Sequence, residues 1–276
     1  YRNNLPFTIL NMPFEGGSTS TWTKDYALGN NGTVYTATYN STRGHDGYGA
    51  YQFNGSSNYI ENNVQLVADY PFTFSAWIRT NASTTQTIIG LFDKDATSVI
   101  YRMGVGSTGG ITIAAYYNST TYHDGGISSG RNDDNWHLFT AVFSSSTLRT
   151  YYIDGSSSGT QTTDIPFNTA VDRFSIGRSG DSTPDNYFNG TIDDILVFNR
   201  SLSAQEIQAL YNNRTDLIVS QELTTGDVWQ ACVTPNDGRE DGAMLCSNNI
   251  TVLASNSRPP APILLSPTNG TNTTIR

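Results

Sequence analysis

The chain is poor in cysteine, histidine and charge. Its 276 residues include 2 cysteines and 3 histidines. Cys232 and Cys246 form no CxxC pair and have no histidine cluster nearby, which argues against a zinc site. Charged residues make up 14%, and 24 acidic residues against 15 basic ones leave a net charge of −9. Such a surface repels a phosphate backbone, so nucleic acid is not an expected partner. No apolar run is long enough for a membrane-spanning helix. There is no initiating methionine and no signal-peptide pattern, as expected of a mature product or a piece of something longer.

What is present is polar without being ionic. Aliphatic and aromatic residues make up 37%, and with 25 glycines the apolar share allows a normal core. Solvation rests on Ser, Thr and Asn. Eleven N-x-S/T sequons fall at Asn31, Asn40, Asn54, Asn81, Asn118, Asn189, Asn199, Asn213, Asn249, Asn269 and Asn272. They favour a glycosylated, extracellular chain at a cell surface.

Alternation dominates the periodic stretches. Phe72, Phe74, Ala76 and Ile78 share one face of a strand. Residues 136–143 and 148–153 flank a Ser-rich turn and read as a hairpin, with Asp154-Gly155 as the next turn. The expected class is all-β, a two-sheet sandwich. One helix is expected behind Ser203-Ala-Gln-Glu206, a capping box, with Ile207, Leu210 and Tyr211 at helical spacing.

The texture changes near residue 216. Residues 217–223, 228–233 and 243–253 read as three strands. Cys232 and Cys246 lie almost symmetrically about the turn between the last two, so a cross-strand disulfide is reasonable. Two free buried thiols are the alternative. Arg258-Pro-Pro-Ala-Pro262 is a linker by composition.

Three stretches carry a family resemblance. They are Leu10 to Gly16 with Asp25 and Gly29 to Thr33; Gly49 to Gly55 with Tyr59-Ile60 and Phe72 to Trp77; and Phe188-Asn-Gly-Thr-Ile-Asp-Asp-Ile-Leu-Val-Phe-Asn-Arg-Ser-Leu-Ser-Ala-Gln-Glu-Ile207. In this order they resemble the laminin-G-like, concanavalin-A-like jelly-roll domain of prokaryotic surface proteins. Residues 214–257 resemble the last strands of an immunoglobulin-like or fibronectin-like repeat, carried by Trp229, Cys232 and Asn236 to Gly238. The expected organisation is a jelly-roll domain over 1–213, the partial Ig-like segment over 214–257, and over 258–276 a linker with a first strand of a further repeat or a strand donated to a neighbour.

The resemblance implies a structural Ca²⁺ between the opening loop and the closing strand. By that analogy its ligands are Asp25, Asn31, the Gly29 carbonyl and one of Asp193 or Asp194. Catalysis is not expected. Gly155-Ser-Ser-Ser-Gly159 fits G-x-S-x-G but lacks the strand-to-helix setting of a nucleophile elbow. Adjacent Asp193 and Asp194 should point to opposite faces of a strand and so fail as a catalytic pair. His45 and His123 sit beside aspartates in loops, and His137 follows Trp136 in a packing position. Tyr116, Tyr117, Tyr122, Tyr151 and Tyr152 could stack sugars, or could simply pack and cover the sheets.

The function expected is a non-catalytic extracellular structural or adhesive protein. The leading form is a filament or stalk subunit joined to copies of itself or to neighbouring surface repeats by strand complementation. The alternatives are a calcium-dependent adhesin module binding glycans or matrix, and an accessory domain of a larger enzyme.

Overall fold

The computed structural model describes residues 1–3, 6–97, 100–117, 120–125, 129–214, 218–237 and 240–254. Two eight-stranded antiparallel sheets lie face to face. The first runs Ser156–Gln161, Leu148–Ile153, His137–Ser145, Phe72–Arg79, Asn189–Phe198, Ala50–Asn54 and Thr38–Asn40, with Leu10–Met12 also paired to Asn189–Phe198. The second runs Thr120–Gly125, Ile111–Tyr117, Ile100–Val105, Gln86–Phe92, Arg173–Ile176, Tyr59–Asn62, Gly32–Tyr35 and Trp22–Thr23. Each sheet joins runs of strands consecutive in the chain, such as His137–Ser145 with Leu148–Ile153, to strands from distant parts, such as Asn189–Phe198 between Phe72–Arg79 and Ala50–Asn54, as expected of a jelly roll.

The alternation read from the sequence places the core. Phe72, Phe74, Ala76 and Ile78 all face inward and are fully buried. Phe72 stacks on Phe143 across the neighbouring strand, ring centroids 4.5 Å apart. The opposite face of the same strand is also covered. Thr73 Oγ1 donates to the Arg200 carbonyl at 2.8 Å, and Ser75 pairs with Thr140 at 3.1 Å. That cover comes from the helix Ala204–Tyr211 and the chain leading into it. The capping box forms as read: Glu206 N donates to Ser203 Oγ at 3.3 Å, and Ser203 N donates to Glu206 Oε2 at 2.6 Å. Ile207, fully buried, packs with Val142, Phe198 and Leu202 in a second small core.

The C-terminal segment differs from its reading. In place of a strand over 217–223, Ser220–Glu222 is a single 3₁₀ turn. The turn brings the Glu222 carboxylate onto Arg200, which also holds Glu206 at 2.6 Å. Residues 228–233 and 243–253 pair only at Val228–Trp229 with Ile250–Thr251 and at Cys232–Val233 with Leu245–Cys246. Cys232 and Cys246 are directly opposite and disulfide-bonded. The first strand-like partner comes from the other end of the chain: Asn3 N donates to the Val228 carbonyl at 2.7 Å, and Arg2 bridges to Trp229. Residues 258–276, read as linker and further strand, lie outside the described residues. No helix among the described residues is long and apolar enough to cross a membrane.

Candidate functional site

Two loops meet at an irregularity in the strand Asn189–Phe198 of the first sheet. The strand Asn189–Phe198 shifts register against Phe72–Arg79 between Asp193 and Leu196. Asp194 takes φ +49° at that bulge. Simple alternation would separate Asp193 and Asp194, and the expectation of opposite faces is corrected here: the bulge brings both carboxylates to His45, with the ligand atoms of the three residues within 4.8 Å of one another. Asp193 is fully buried, and its Oδ2 accepts from His45 N at 2.8 Å while its Oδ1 accepts from Asp194 N at 2.9 Å. The His45 Nδ1 lies 3.7 Å from Asp194 Oδ2.

The loop carrying His45 is packed tightly against the opening loop. A Cβ on Gly49 would lie 1.9 Å from the Phe14 carbonyl, so only glycine allows the approach. Glu15, next to Phe14, adds a third carboxylate. Its Oε1 is buried and has no hydrogen-bond partner among the described residues. Burial pushes the Glu15 carboxyl up to about 8, helped by the charges of Asp194 and Asp46. Burial first, and the neighbouring carboxylates second, push Asp193 up as well. Burial also raises Asp194. Charge crowded in this way attracts a cation. Asp193, Asp194 and His45 would hold it, with Glu15 beside them. An imidazole nitrogen is a departure from the all-oxygen set that Ca²⁺ prefers and suits a transition metal as well.

The remaining residues named for calcium are engaged elsewhere. Asp25 accepts four backbone N–H groups, from Asn11 at 2.8 Å, Ala27 at 2.9 Å, Leu28 at 3.2 Å and Asn30 at 2.8 Å. Asn31 Oδ1 accepts from Asp25 N at 2.9 Å. Gly29, at φ +80°, is the left-handed residue of that turn. Asp25, Gly29 and Asn31 thus close a loop on themselves. A further group, Asp93, Asp95 and Asp172, already holds an ammonium: Lys94 Nζ lies 2.7 Å from Asp95 and 2.6 Å from Asp172.

Beside the His45 cluster is a cleft of about 540 Å³ lined by Glu15, Tyr39, Ser41, Asp46, Tyr48, Gly49, Asn236 and Asp237. Tyr48 is 63% exposed. Its N donates to Asp46 Oδ1 at 2.9 Å, and Tyr39 Oη donates to the Glu15 carbonyl at 2.9 Å. An exposed aromatic ring and several hydrogen-bonding groups thus line the same cleft. A longer cavity of about 720 Å³ lies between the sandwich and the C-terminal segment, with Phe7, Phe198, Leu210 and Trp229 in its lining.

Of the tyrosines read as candidate platforms, Tyr151 belongs to the core and Tyr152 packs against the helix cluster. The side chains of Tyr116, Tyr117, Tyr122 and His123 lie outside the described residues. Gly155 to Gly159 runs into an edge strand, Ser156–Gln161, rather than a helix. His137 sits between Asp154 Oδ2 at 2.8 Å and Asp133 Oδ1 at 3.1 Å. Sequon residues Asn31, Asn54, Asn81, Asn189, Asn199, Asn213 and Asn249 are exposed, Asn40 is half-buried, and Asn118, Asn269 and Asn272 lie outside the described residues. Tyr48 was missed by sequence reasoning, and His45 was read as an ordinary loop histidine beside an aspartate. The only local signal was Arg43-Gly-His-Asp-Gly-Tyr-Gly49, a glycine-rich loop holding ionisable and aromatic side chains.

Residues 54–208 match the family described as the Concanavalin A-like lectin/glucanases superfamily. No curated protein matches the chain. Among solved structures, one similar fold is domain 4 of AbnA, an extracellular GH43 arabinanase from Geobacillus stearothermophilus, solved in complex with arabinotriose. It is 18% identical, covering 75% of this chain and 100% of that one with a TM-score of 0.59. The botulinum neurotoxin serotype D binding domain (16% identical, TM-score 0.57) covers 75% of this chain but 52% of its own. The binding domain of paraclostridial mosquitocidal protein 1 (15% identical, TM-score 0.55) covers 74% of this chain and likewise 52% of its own. At these identities the likeness is one of fold, and the chain spans about half of each toxin binding domain.

Proposed function

Because the chain belongs to the Concanavalin A-like lectin/glucanases superfamily, we propose that it is a non-catalytic extracellular glycan-binding module whose ligand occupies the Tyr48 cleft beside a divalent-cation site. The observation that carries this reading is the placing of Glu15: it lines the cleft, and Phe14 next to it packs on Gly49 of the loop that carries His45. An exposed tyrosine gives a stacking platform for a sugar ring. Ser41, Asp46 and Asn236 supply partners for its hydroxyls. A cation at Asp193, Asp194 and His45 offsets the carboxylate charge and fixes the loop that carries Tyr48. Ca²⁺ is the cation the family resemblance suggests, with these residues rather than Asp25 and Asn31 as its ligands.

Binding without hydrolysis accounts best for the carboxylates. A retaining glycosidase needs two that reach the sugar from either side of the scissile bond. Asp193 is fully buried and hydrogen-bonded to backbone. The disulfide and the exposed sequons support an oxidising, extracellular setting.

A second reading, attachment to a neighbouring surface repeat, is favoured by the exposed apolar residues Leu245, Ile250 and Leu253 on the C-terminal hairpin. Filament assembly by strand complementation would use that edge. A glycan array probed with the whole chain, in Ca²⁺ and again in chelator, tests the main reading. Hits that weaken on chelation support it. An empty array in both conditions removes it and leaves the second reading.

A further inference from the structure

The family match ends at residue 208, and a quarter of this chain has no counterpart in the arabinanase domain, which is itself covered along its whole length. The hairpin Val228–Thr251 lies beyond the family match. It is nevertheless seated firmly on the sandwich. Val228 N donates to Asn3 Oδ1 at 2.8 Å, and Trp229 is buried against Phe7 with ring centroids 5.5 Å apart. At the turn end, Asp241 accepts from Tyr26 Oη at 2.7 Å and pairs with Lys24.

Between these anchors Asn236 presses on Gly16. A Cβ built on Gly16 would lie 1.4 Å from Asn236 Nδ2, and the three nearest atoms all belong to Asn236. Gly16 does not have a positive φ, so its backbone would accept another residue. The crowding is with the end of the Asn236 side chain, whose Nδ2 donates to Asp241 Oδ1 at 2.8 Å, so a larger residue at Gly16 would push that amide aside. Seated there, Asn236 and Asp237 line the cleft that Tyr39, Tyr48, Asp46 and Glu15 line from the sandwich.

We infer that the hairpin is the specificity element of the site, its Asn236 amide and Asp237 completing a pocket for short uncharged oligosaccharides. This rests on the reading of the cleft as a glycan site. The sandwich supplies the aromatic surface, which any sugar ring can use. The hairpin adds hydrogen-bonding groups at fixed positions, and these discriminate between hydroxyl patterns. The preference for uncharged sugars follows from the lining. Asp46 and Asp237 are carboxylates, and no lysine or arginine lines the cleft among the described residues. Sialylated or uronic sugars meet like charge there.

The test uses Gly16→Ala, which displaces the Asn236 amide from outside the cleft, and Asn236→Ala, which removes it. Wild type and both variants are titrated with arabinotriose and screened on a printed panel of neutral and sialylated oligosaccharides, with Tyr48→Ala as reference. Wild type should select neutral glycans. Gly16→Ala and Asn236→Ala should both keep the wild-type melting profile, lose affinity roughly two- to tenfold, the worth of one hydrogen bond, and rank the panel less sharply. Unchanged affinity and ranking in both variants, with binding still abolished in Tyr48→Ala, overturns this inference and leaves the cleft reading standing. Preference of wild type for sialylated glycans overturns it too. A wild type that binds nothing on the panel overturns both.

Discussion

The imidazole of His45 lies flat on the indole of Trp77, ring centroids 3.6 Å apart and 11° from parallel. Tyr211, at the end of the helix, stacks on the same indole at 5.8 Å. One tryptophan therefore holds the loop that carries His45 and Tyr48 and the helix that covers the sheet. Trp77→Ala should destabilise the chain by about 3–5 kcal/mol and loosen residues 44–49. Urea unfolding and hydrogen exchange measure the two effects. A cost below about 1 kcal/mol would show that the stack carries little.

The two halves of the expected calcium set should behave differently. Millimolar Ca²⁺ or Mn²⁺ should raise the melting temperature of wild type, a bound state at a hundred times Kd being worth about 2.7 kcal/mol. Asp193→Asn should lose that response. Asp25→Ala should lower stability with or without the cation, because four backbone N–H groups lose their acceptor, and should keep the response. A cation response lost with Asp25 instead would return the site to the opening loop.

Stability should fall as pH rises, and two of the contributions lie away from the candidate site. Burial, and the Glu206 carboxyl beside it, raise Glu222 to about 7. Its neutral form is favoured in the fold, so stability is full below the ordinary glutamate value and declines as pH climbs to about 7. Glu222→Gln should flatten that part of the curve. Burial opposes the charge on His137, but Asp154 and Asp133 outweigh it and hold its pKa above the usual 6.5. Its contribution is complete below 6.5 and lost as pH rises past the folded value. His137→Asn should remove this second decline in a pH series of thermal melts. A wild type whose stability rises across both windows would contradict the assignment.

The disulfide closes a loop spanning a sequence separation of 14, for which the chain-entropy estimate is about 3 kcal/mol. Changing Cys232 and Cys246 to serine should loosen residues 228–251 and leave the strand Phe72–Arg79 as protected as before. Hydrogen exchange distinguishes the two regions. Loss of protection in both would mean that the sandwich depends on the hairpin.

The sandwich was legible because its signals are local. Phe72 to Ile78 alternates as a strand must, and Ser203 with Glu206 writes a helix start within four residues. Of the candidate site only Asp193 and Asp194 were named from the sequence, and their arrangement was not legible for the opposite reason. Whether Asp193 and Asp194 point together depends on a bulge, and nothing in Ile-Asp-Asp-Ile marks one. His45 meets Asp193 across 148 positions of sequence. The pairing of Asn3 with Val228 spans 225. The strand read over 217–223 failed because Arg200, on a distant segment, draws Glu222 into a turn that local propensity does not encode.

The central claim is that a glycan binds in the cleft between Tyr48 and Glu15. The most direct measurement is hydrogen exchange of the whole chain with and without the strongest array ligand, in the presence of Ca²⁺. Added protection confined to residues 14–16, 39–49 and 236–237 is the predicted result. Protection elsewhere on the sandwich, with these three stretches unchanged, would contradict it.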